Sequence, residues 1–399
     1  MHRSIAIFAF LLVALSSYVS SACQATTPVK RPRLSEHAMW VTRWDYKTAA
    51  DCRAIAENCR ANGIDTILFQ VRGNATAFYR SKLEPWAEQF GFKDPGFDPL
   101  ATMIEETHSR GMRLVAWVNA VPAWWGTTPP SDPNHVYNKH PEWMWYDQYG
   151  KRQALSEKFY VSLNPCLPEV RAHVVAVIGE IVSNYAIDGV HLDYMRFPNE
   201  APATPAGTDI DYPRDAKTVA LFTKATKKTP EQDGAAWKSW RTAQVTELVR
   251  QIRAKVRSLK PEIELSSAVG VKRESALAHH QDAYTWLKED LVDTVYPMNY
   301  TGDPKVFATR TDAWNQAAPG ERIVQGVNFG MGTSDTMRAQ VQAALEKSEG
   351  FAIFAYSSLF PSPVDAVDRP DPKQRAERDA LSKIVQAWLR ELKPKATQR

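Results

Sequence analysis

The run IDGVHLD (Ile187–Asp193) reads as a β-strand whose two faces differ in kind. Side chains alternate along a strand, so Gly189, His191 and Asp193 share one face and Val190 and Leu192 the other. The apolar pair suits a covering layer of helices, which leaves Asp193 pointing toward whatever opens at the strand's C-terminal end. Asp188 lies near the opposite end, where a helix-cap or loop role fits. A strand used on both faces belongs to a parallel sheet rather than to a half-exposed antiparallel one.

Working outward, strands and helices alternate from residue 39 to about 392. Met39–Asp45 is the first expected strand, with a helix over Lys47–Asn62, and Ile64–Arg72 is the second, with a helix over Pro99–Arg110. Arg113–Asn119 is the third, followed by a long aromatic loop and the helix Pro168–Tyr185. After Ile187–Asp193 comes an insertion, then a long helix over Trp237–Leu259. The remaining strands are Glu262–Val271, Asp293–Tyr300, Arg322–Gly330 and Phe351–Tyr356. Their expected helices lie near Gln281–Asp290, Pro304–Gln316, Ser334–Ser348 and Pro372–Leu392. Simple alternation also suits an open doubly wound sheet. Eight strands, and no GxGxxG after the first, favour a (β/α)8 TIM barrel with long loops at its C-terminal face.

The 399 residues fit one large barrel, with 44% hydrophobic residues to build its core. A formal net charge of +4 over that length is too weak and scattered for nucleic-acid binding. Arg3 followed by the apolar run Ile5–Leu15 is too short to span a bilayer and reads as an export leader, residues 1–22. Small residues at Ser20 and Ala22 allow cleavage after Ala22. Cys23 also permits lipid attachment, although Ser20 stands where a lipoprotein signal usually carries an aliphatic residue. The expected destination is the periplasm or cell envelope, with membrane contact only through a lipid on Cys23. Residues 23–37 read as a tether, 38–392 as the barrel with an insertion at 199–236, and 393–399 as a tail. That insertion is expected to wall or cover the site.

Cys52 and Cys59 are seven residues apart in a helical pattern, about 10 Å and beyond disulfide reach. Buried free thiols are expected, with the pairing of Cys166 left open. No metal-ligand spacing occurs, so neither metal nor organic cofactor is expected.

In a barrel, chemistry sits at the C-terminal strand ends. Those ends carry Asp45, Gln70, Arg72, Asn119, His191, Asp193, Asn299, Tyr300, Asn328 and Tyr356. Asp193 is the leading carboxylate for glycoside cleavage, which typically uses two acids across the bond. The structural alternative is that Asp193 merely pairs with Arg72 or Arg196. Glu274, Asp45 and Glu142 are candidates for the second acid. Arg72, Asn119, Trp124, His191, Arg196, Tyr296, Asn299, Tyr300 and Asn328 are candidates for holding a sugar. The loop after the third strand adds Trp124, Trp125, Tyr137, Trp143, Trp145, Tyr146 and Tyr149, flat rings suited to sugar faces or to packing the loop.

The stretch IDGVHLDYMRFP (Ile187–Pro198) resembles the fourth-strand signature of the glycosyl-hydrolase-like family ten, bacterial exported barrels that include a peptidoglycan glycosidase. The resemblance continues in FQVRGNATAFYRSKLEPW (Phe69–Trp86), KDPGFDPLATMIEETHSRGMRLVAWVNA (Lys93–Ala120), HPEWMW (His140–Trp145) and SLNPCLPEVRAHV (Ser162–Val174). It returns more weakly in Trp240–Val271 and in YPMNYTG (Tyr296–Gly302). The resemblance implies a glycoside hydrolase distantly like the amylase superfamily, with a nucleophile after strand four and an acid after strand five. It thereby implies Asp193 as nucleophile and Glu274 as candidate acid, although GVKRES (Gly270–Ser275) departs most from the family pattern. DGVHLDYM also partly resembles a chitinase motif, but the acid position there would be Met195, which cannot donate a proton. The expectation is an exported glycosidase acting on peptidoglycan strands or another polysaccharide, its oligomeric state open. The alternative is a non-catalytic carbohydrate-binding envelope lipoprotein.

Overall fold

The computed structural model describes residues 35–198 and 207–392. The leader, Cys23, most of the tether, the start of the insertion and the tail lie outside the described residues. Ten strands are present: β1 (Glu36–Val41), β2 (Thr66–Arg72), β3 (Arg113–Asn119), β4 (Pro122–Gly126), β5 (Ser156–Ser162), β6 (Gly189–Asp193), β7 (Glu264–Val269), β8 (Thr294–Pro297), β9 (Gln325–Asn328) and β10 (Gly350–Phe354). Eight of them form one sheet in the order β8-β7-β6-β3-β2-β1-β10-β9, every pairing parallel. Parallel bridges Val295–Ile323 and Met298–Gly326 join the two edges, so the sheet closes into a (β/α)8 barrel. β4 and β5 form a separate antiparallel hairpin inside the expected aromatic loop.

Alternation divides the apolar residues into two cores. Val190, Leu192 and their counterparts meet the surrounding helices, together with Ile55, Val174, Ile178 and Leu248. Inside the barrel lie Trp40, Leu68, Val115, Trp117, Tyr296 and Val324. The N-terminal end is floored by charge: Arg322 Nη2 reaches Glu36 Oε2 at 2.6 Å and Arg113 Nη2 reaches Glu264 Oε2 at 2.6 Å. The Tyr296 hydroxyl donates to Glu36 Oε1 at 2.7 Å.

The helices start where the chain supplies caps. Thr48 and Asp51 form a capping box at Ala49–Ala61, and Asp98 caps Pro99–His108 with proline in its first turn. β1 begins at Glu36, inside the expected tether, and ends at Val41 rather than Asp45. The physical reason is a turn: Asp45 Oδ2 accepts the Thr42 backbone N–H (2.7 Å) and hydroxyl (2.9 Å), which draws the chain out of the sheet. The described part of the insertion holds a helix, Ala216–Thr226, and Asp211 ahead of it pairs with Arg241 at 2.7 Å on the long helix Gly234–Leu259. It packs beside the barrel and lines none of the main cavity. Cys52, Cys59 and Cys166 are buried and unpaired. Among the described residues no helix is long and apolar enough to cross a membrane.

Candidate active site

The C-terminal mouth of the barrel opens into a cavity of about 570 Å³, within the range of small-molecule sites, roughly 300–1,000 Å³. Trp40 and Trp117 of the inner core form its base. Arg43 and Trp44 of the turn after β1 form one wall, and Trp125, Lys158, Phe159 and Tyr160 of the β4–β5 hairpin rise above it. Tyr194, Tyr300 and Phe354 complete its aromatic lining. Among the described residues lining the cavity, Asp193 is the only carboxylate.

Asp193 ends β6 on the face that points inward, as alternation requires. Its Oδ1 accepts from Arg196 Nη1 at 2.9 Å and from the Tyr194 backbone N–H at 2.6 Å. Neither bond uses Oδ2, which is left toward the cavity. The backbone then turns sharply: Tyr194 sits at φ 50°, a left-handed conformation uncommon outside glycine. The Arg196 guanidinium lies 4.5 Å above the Tyr194 ring, and Tyr160 meets that ring edge-on at 5.3 Å. Backbone and side chains thus hold the carboxylate, its cation and one aromatic wall as a unit.

One layer deeper, Trp40 Nε1 donates to His191 Nε2 at 3.2 Å, which leaves Nδ1–H to donate to Ser266 Oγ at 2.9 Å. Burial pushes this imidazole down to about 4, so it is neutral at pH 7. Burial, with the Asp193 charge adding to it, holds the Tyr300 hydroxyl well above the usual tyrosine range. Tyr300 is therefore a hydrogen-bond donor at neutral pH rather than a ready source of protons.

Of the expected site residues, Asp193, Asn119, Arg196 and Tyr300 line the cavity. Arg72 does not. Its guanidinium is fully buried and bidentate on Glu84, at 2.7 Å through both Nε and Nη2, and its Nη1 reaches the carbonyls of Asn119 and Ala120. His191 and Tyr296 belong to the barrel interior below the cavity. Asn299 turns outward, donating to the Phe307 carbonyl at 3.0 Å, and Asn328 accepts the Gly330 N–H at 2.7 Å in its own turn. Trp124 packs the hairpin, its Nε1 donating to the Thr128 carbonyl at 2.8 Å, while its neighbour Trp125 faces the cavity.

The candidate acids fare similarly. Glu274 is exposed in the first turn of the short helix Arg273–Ala278 and outside the cavity wall. Glu142 is exposed beside His140, at 3.2 Å. Asp45 lies behind the wall, where burial raises its carboxyl to about 6. Among the described residues no cluster of three or more His, Cys, Asp or Glu is placed to hold a metal ion. Sequence reasoning passed over Arg43, Trp44 and Tyr160. The basic–aromatic pair Arg43–Trp44 near the end of the expected first strand, and the aromatic pair Phe159–Tyr160, were the signals available.

Residues 37–347 match the family described as glycosyl hydrolase-like 10. The chain belongs to this family. Within it, the chain is 26% identical over 308 residues to glycosyl hydrolase DigH of Escherichia coli K12, covering 70% of this chain and 61% of DigH. It is 29% identical over 267 residues to glycosyl hydrolase YngK of Bacillus subtilis, covering 62% of this chain and 48% of YngK. The chain thus spans only part of the length of these curated relatives. Among solved structures, the glycoside hydrolase domain of PgaB (BpsB) from Bordetella bronchiseptica superposes with a TM-score of 0.60 at 12% identity. That match covers 87% of this chain and 99% of the domain, and it shows the shared barrel.

Proposed function

We propose that the chain is an exported glycoside hydrolase acting on a cell-wall glycan or another polysaccharide, with Asp193 central to its chemistry. The observation that carries this reading is a lone cavity carboxylate, ion-paired on one oxygen and open on the other, inside a cup of aromatic rings. Rings of that kind pack against the apolar faces of sugars, and a paired carboxylate suits the anionic role of nucleophile or stabiliser of an oxocarbenium-like state. Membership of a glycosyl hydrolase-like family supports the reaction class, and the likeness to DigH motivates peptidoglycan glycan strands as the first substrate to try. Asn119, Arg196 and Tyr300 are the proposed sugar-holding groups. Export through the N-terminal leader, with or without a lipid on Cys23, belongs to the same proposal.

A second reading has its own support. Glycoside cleavage usually needs a second acid, and no other carboxylate lines the cavity among the described residues. A barrel that recognises glycan without cutting it would look this way.

The test is reducing-end release from denuded peptidoglycan and a panel of soluble polysaccharides, by the unmodified protein and by Asp193→Asn, with binding measured in parallel. Release that disappears in a folded, binding-competent Asp193→Asn supports the hydrolase. Binding without release by both proteins favours the recognition module.

A further inference from the structure

Arg43 is the unusual residue of the cavity. It is 1% exposed, yet among the described residues the only hydrogen bond of its guanidinium is from Nη2 to the Tyr160 hydroxyl at 3.1 Å. Its Nε and Nη1 are buried with no partner, and it makes no ion pair among the described residues. The other buried arginines are provided for. Arg72 has Glu84, Arg196 has Asp193, Arg241 has Asp211 and Arg378 has Asp365, while Arg171 meets two backbone carbonyls and the Gln244 side chain. Taking a guanidinium out of water without a counter-charge is unfavourable. Contact with the Trp44 ring, 4.0 Å from Cζ, offsets only part of that.

The seat of this side chain is specific. A Cβ on Gly73 would lie 2.3 Å from Arg43 Nη1 and 2.6 Å from its Cδ, so only glycine at 73 leaves room for the guanidinium. The Arg43 backbone N–H is fixed by Gln70 Oε1 at 3.0 Å. The cavity's charge balance agrees: Arg43, Lys158 and Arg196 line it against Asp193 alone, and Arg196 is engaged by Asp193. An enclosed site with uncompensated positive charge favours an anionic guest.

We propose that Arg43 forms an anion subsite in this cavity and that the glycan it receives carries carboxylates. The inference rests on the reading of the cavity as a glycan site and names the substrate class for it. The carboxylate can belong to a uronic acid ring or to an ether-linked lactyl group such as stripped peptidoglycan strands expose; the guanidinium chemistry is the same for both.

The experiment is calorimetric binding of the whole protein to polygalacturonate, to denuded peptidoglycan strands, and to each polymer after reduction of its carboxyl groups to alcohols. At least one acidic polymer is expected to bind roughly 10- to 100-fold more tightly than its reduced partner, as for a charge-assisted hydrogen bond. Added salt should shrink that ratio, and Arg43→Gln should bring it close to one. Preference within the galacturonate pair alone assigns the ring carboxylate, and within the peptidoglycan pair alone the lactyl group. Should Arg43→Gln not fold, Gly73→Ala displaces the guanidinium while keeping its charge, and must also lower the ratio. Equal binding of acid and reduced forms by the unmodified protein overturns the subsite and leaves the glycan reading standing. A ratio unchanged in folded Arg43→Gln overturns it too. Binding of no polymer, acidic or neutral, overturns the glycan reading along with it.

Discussion

Replacing Glu84 by glutamine should expose how much of the mouth hangs on one buried ion pair. Glu84 and Arg72 have fully buried side chains, and Arg72 also grips the carbonyls of Asn119 and Ala120 where β3 delivers Asn119 to the cavity. Burial alone would raise the Glu84 carboxyl, but the Arg72 charge and the hydrogen bond from His173 (3.0 Å) outweigh it and hold the group well below the usual range. Removing one member of a buried pair leaves an uncompensated charge and costs about 3–5 kcal/mol. For the about 350 described residues at roughly 2.1 cal/mol/K each, the unfolding entropy is near 0.7 kcal/mol/K, so the melting midpoint should fall by about 4–7 °C. Differential scanning calorimetry at pH 7 measures this directly. The pH dependence adds a second constraint. A depressed carboxyl stabilises the fold above its unfolded pKa and loses that contribution as the pH falls toward its folded value. The gap between the two proteins should therefore close below about pH 4. A midpoint within about 1 °C of the unmodified protein at pH 7, or a gap that widens in acid, would refute this account of the pair.

Asp45→Asn tests the opposite sign. Burial raises the Asp45 carboxyl to about 6, so its ionisation weakens the fold at neutral pH and is relieved between pH 6 and 4. Burial lowers His191 to about 4 and His280 to about 3; the unfolded chain protonates these imidazoles first, and stability declines from about pH 6.5 downward. The variant should melt higher at pH 7 and decline more steeply from pH 6 to 4, where parallel melting profiles would count against the assignment. Trp125 is 39% exposed on the hairpin and meets Trp44 edge-on at 5.8 Å. Trp125→Ala should weaken glycan binding about tenfold, as loss of one aromatic contact implies, while shifting stability by less than about 1 kcal/mol. Affinity unchanged in titration calorimetry would remove that ring from the site.

The barrel was legible because its signals are periodic. RLVAWVN (Arg113–Asn119) is a strand over the expected seven residues, and two-residue alternation correctly sent His191 and Asp193 inward and Val190 and Leu192 toward the helices. The misplacements arise where a long-range partner decides. Arg72 has the right position for a mouth residue, but Glu84, twelve residues on in an irregular loop, captures it, and no periodicity reports such a pair. At the end of β1, the capture of Thr42 by Asp45 shortens the strand and moves Arg43 and Trp44 to the rim, so residues read as strand interior became cavity wall. The segment after Asn119 reads as a long aromatic loop, and it hid a hairpin whose second strand, SEKFYVS, has no two-residue alternation to announce it.

The charged floor beneath the inner core carries a topological consequence. Glu36, Glu264, Arg113 and Arg322 seal one end of the barrel, and Trp40, Trp117 and Tyr296 fill the space above them. No polymer can be drawn through such a vessel. Whatever the cup receives must enter and leave through the C-terminal mouth, so every contact with a long ligand is confined to that one face of the barrel.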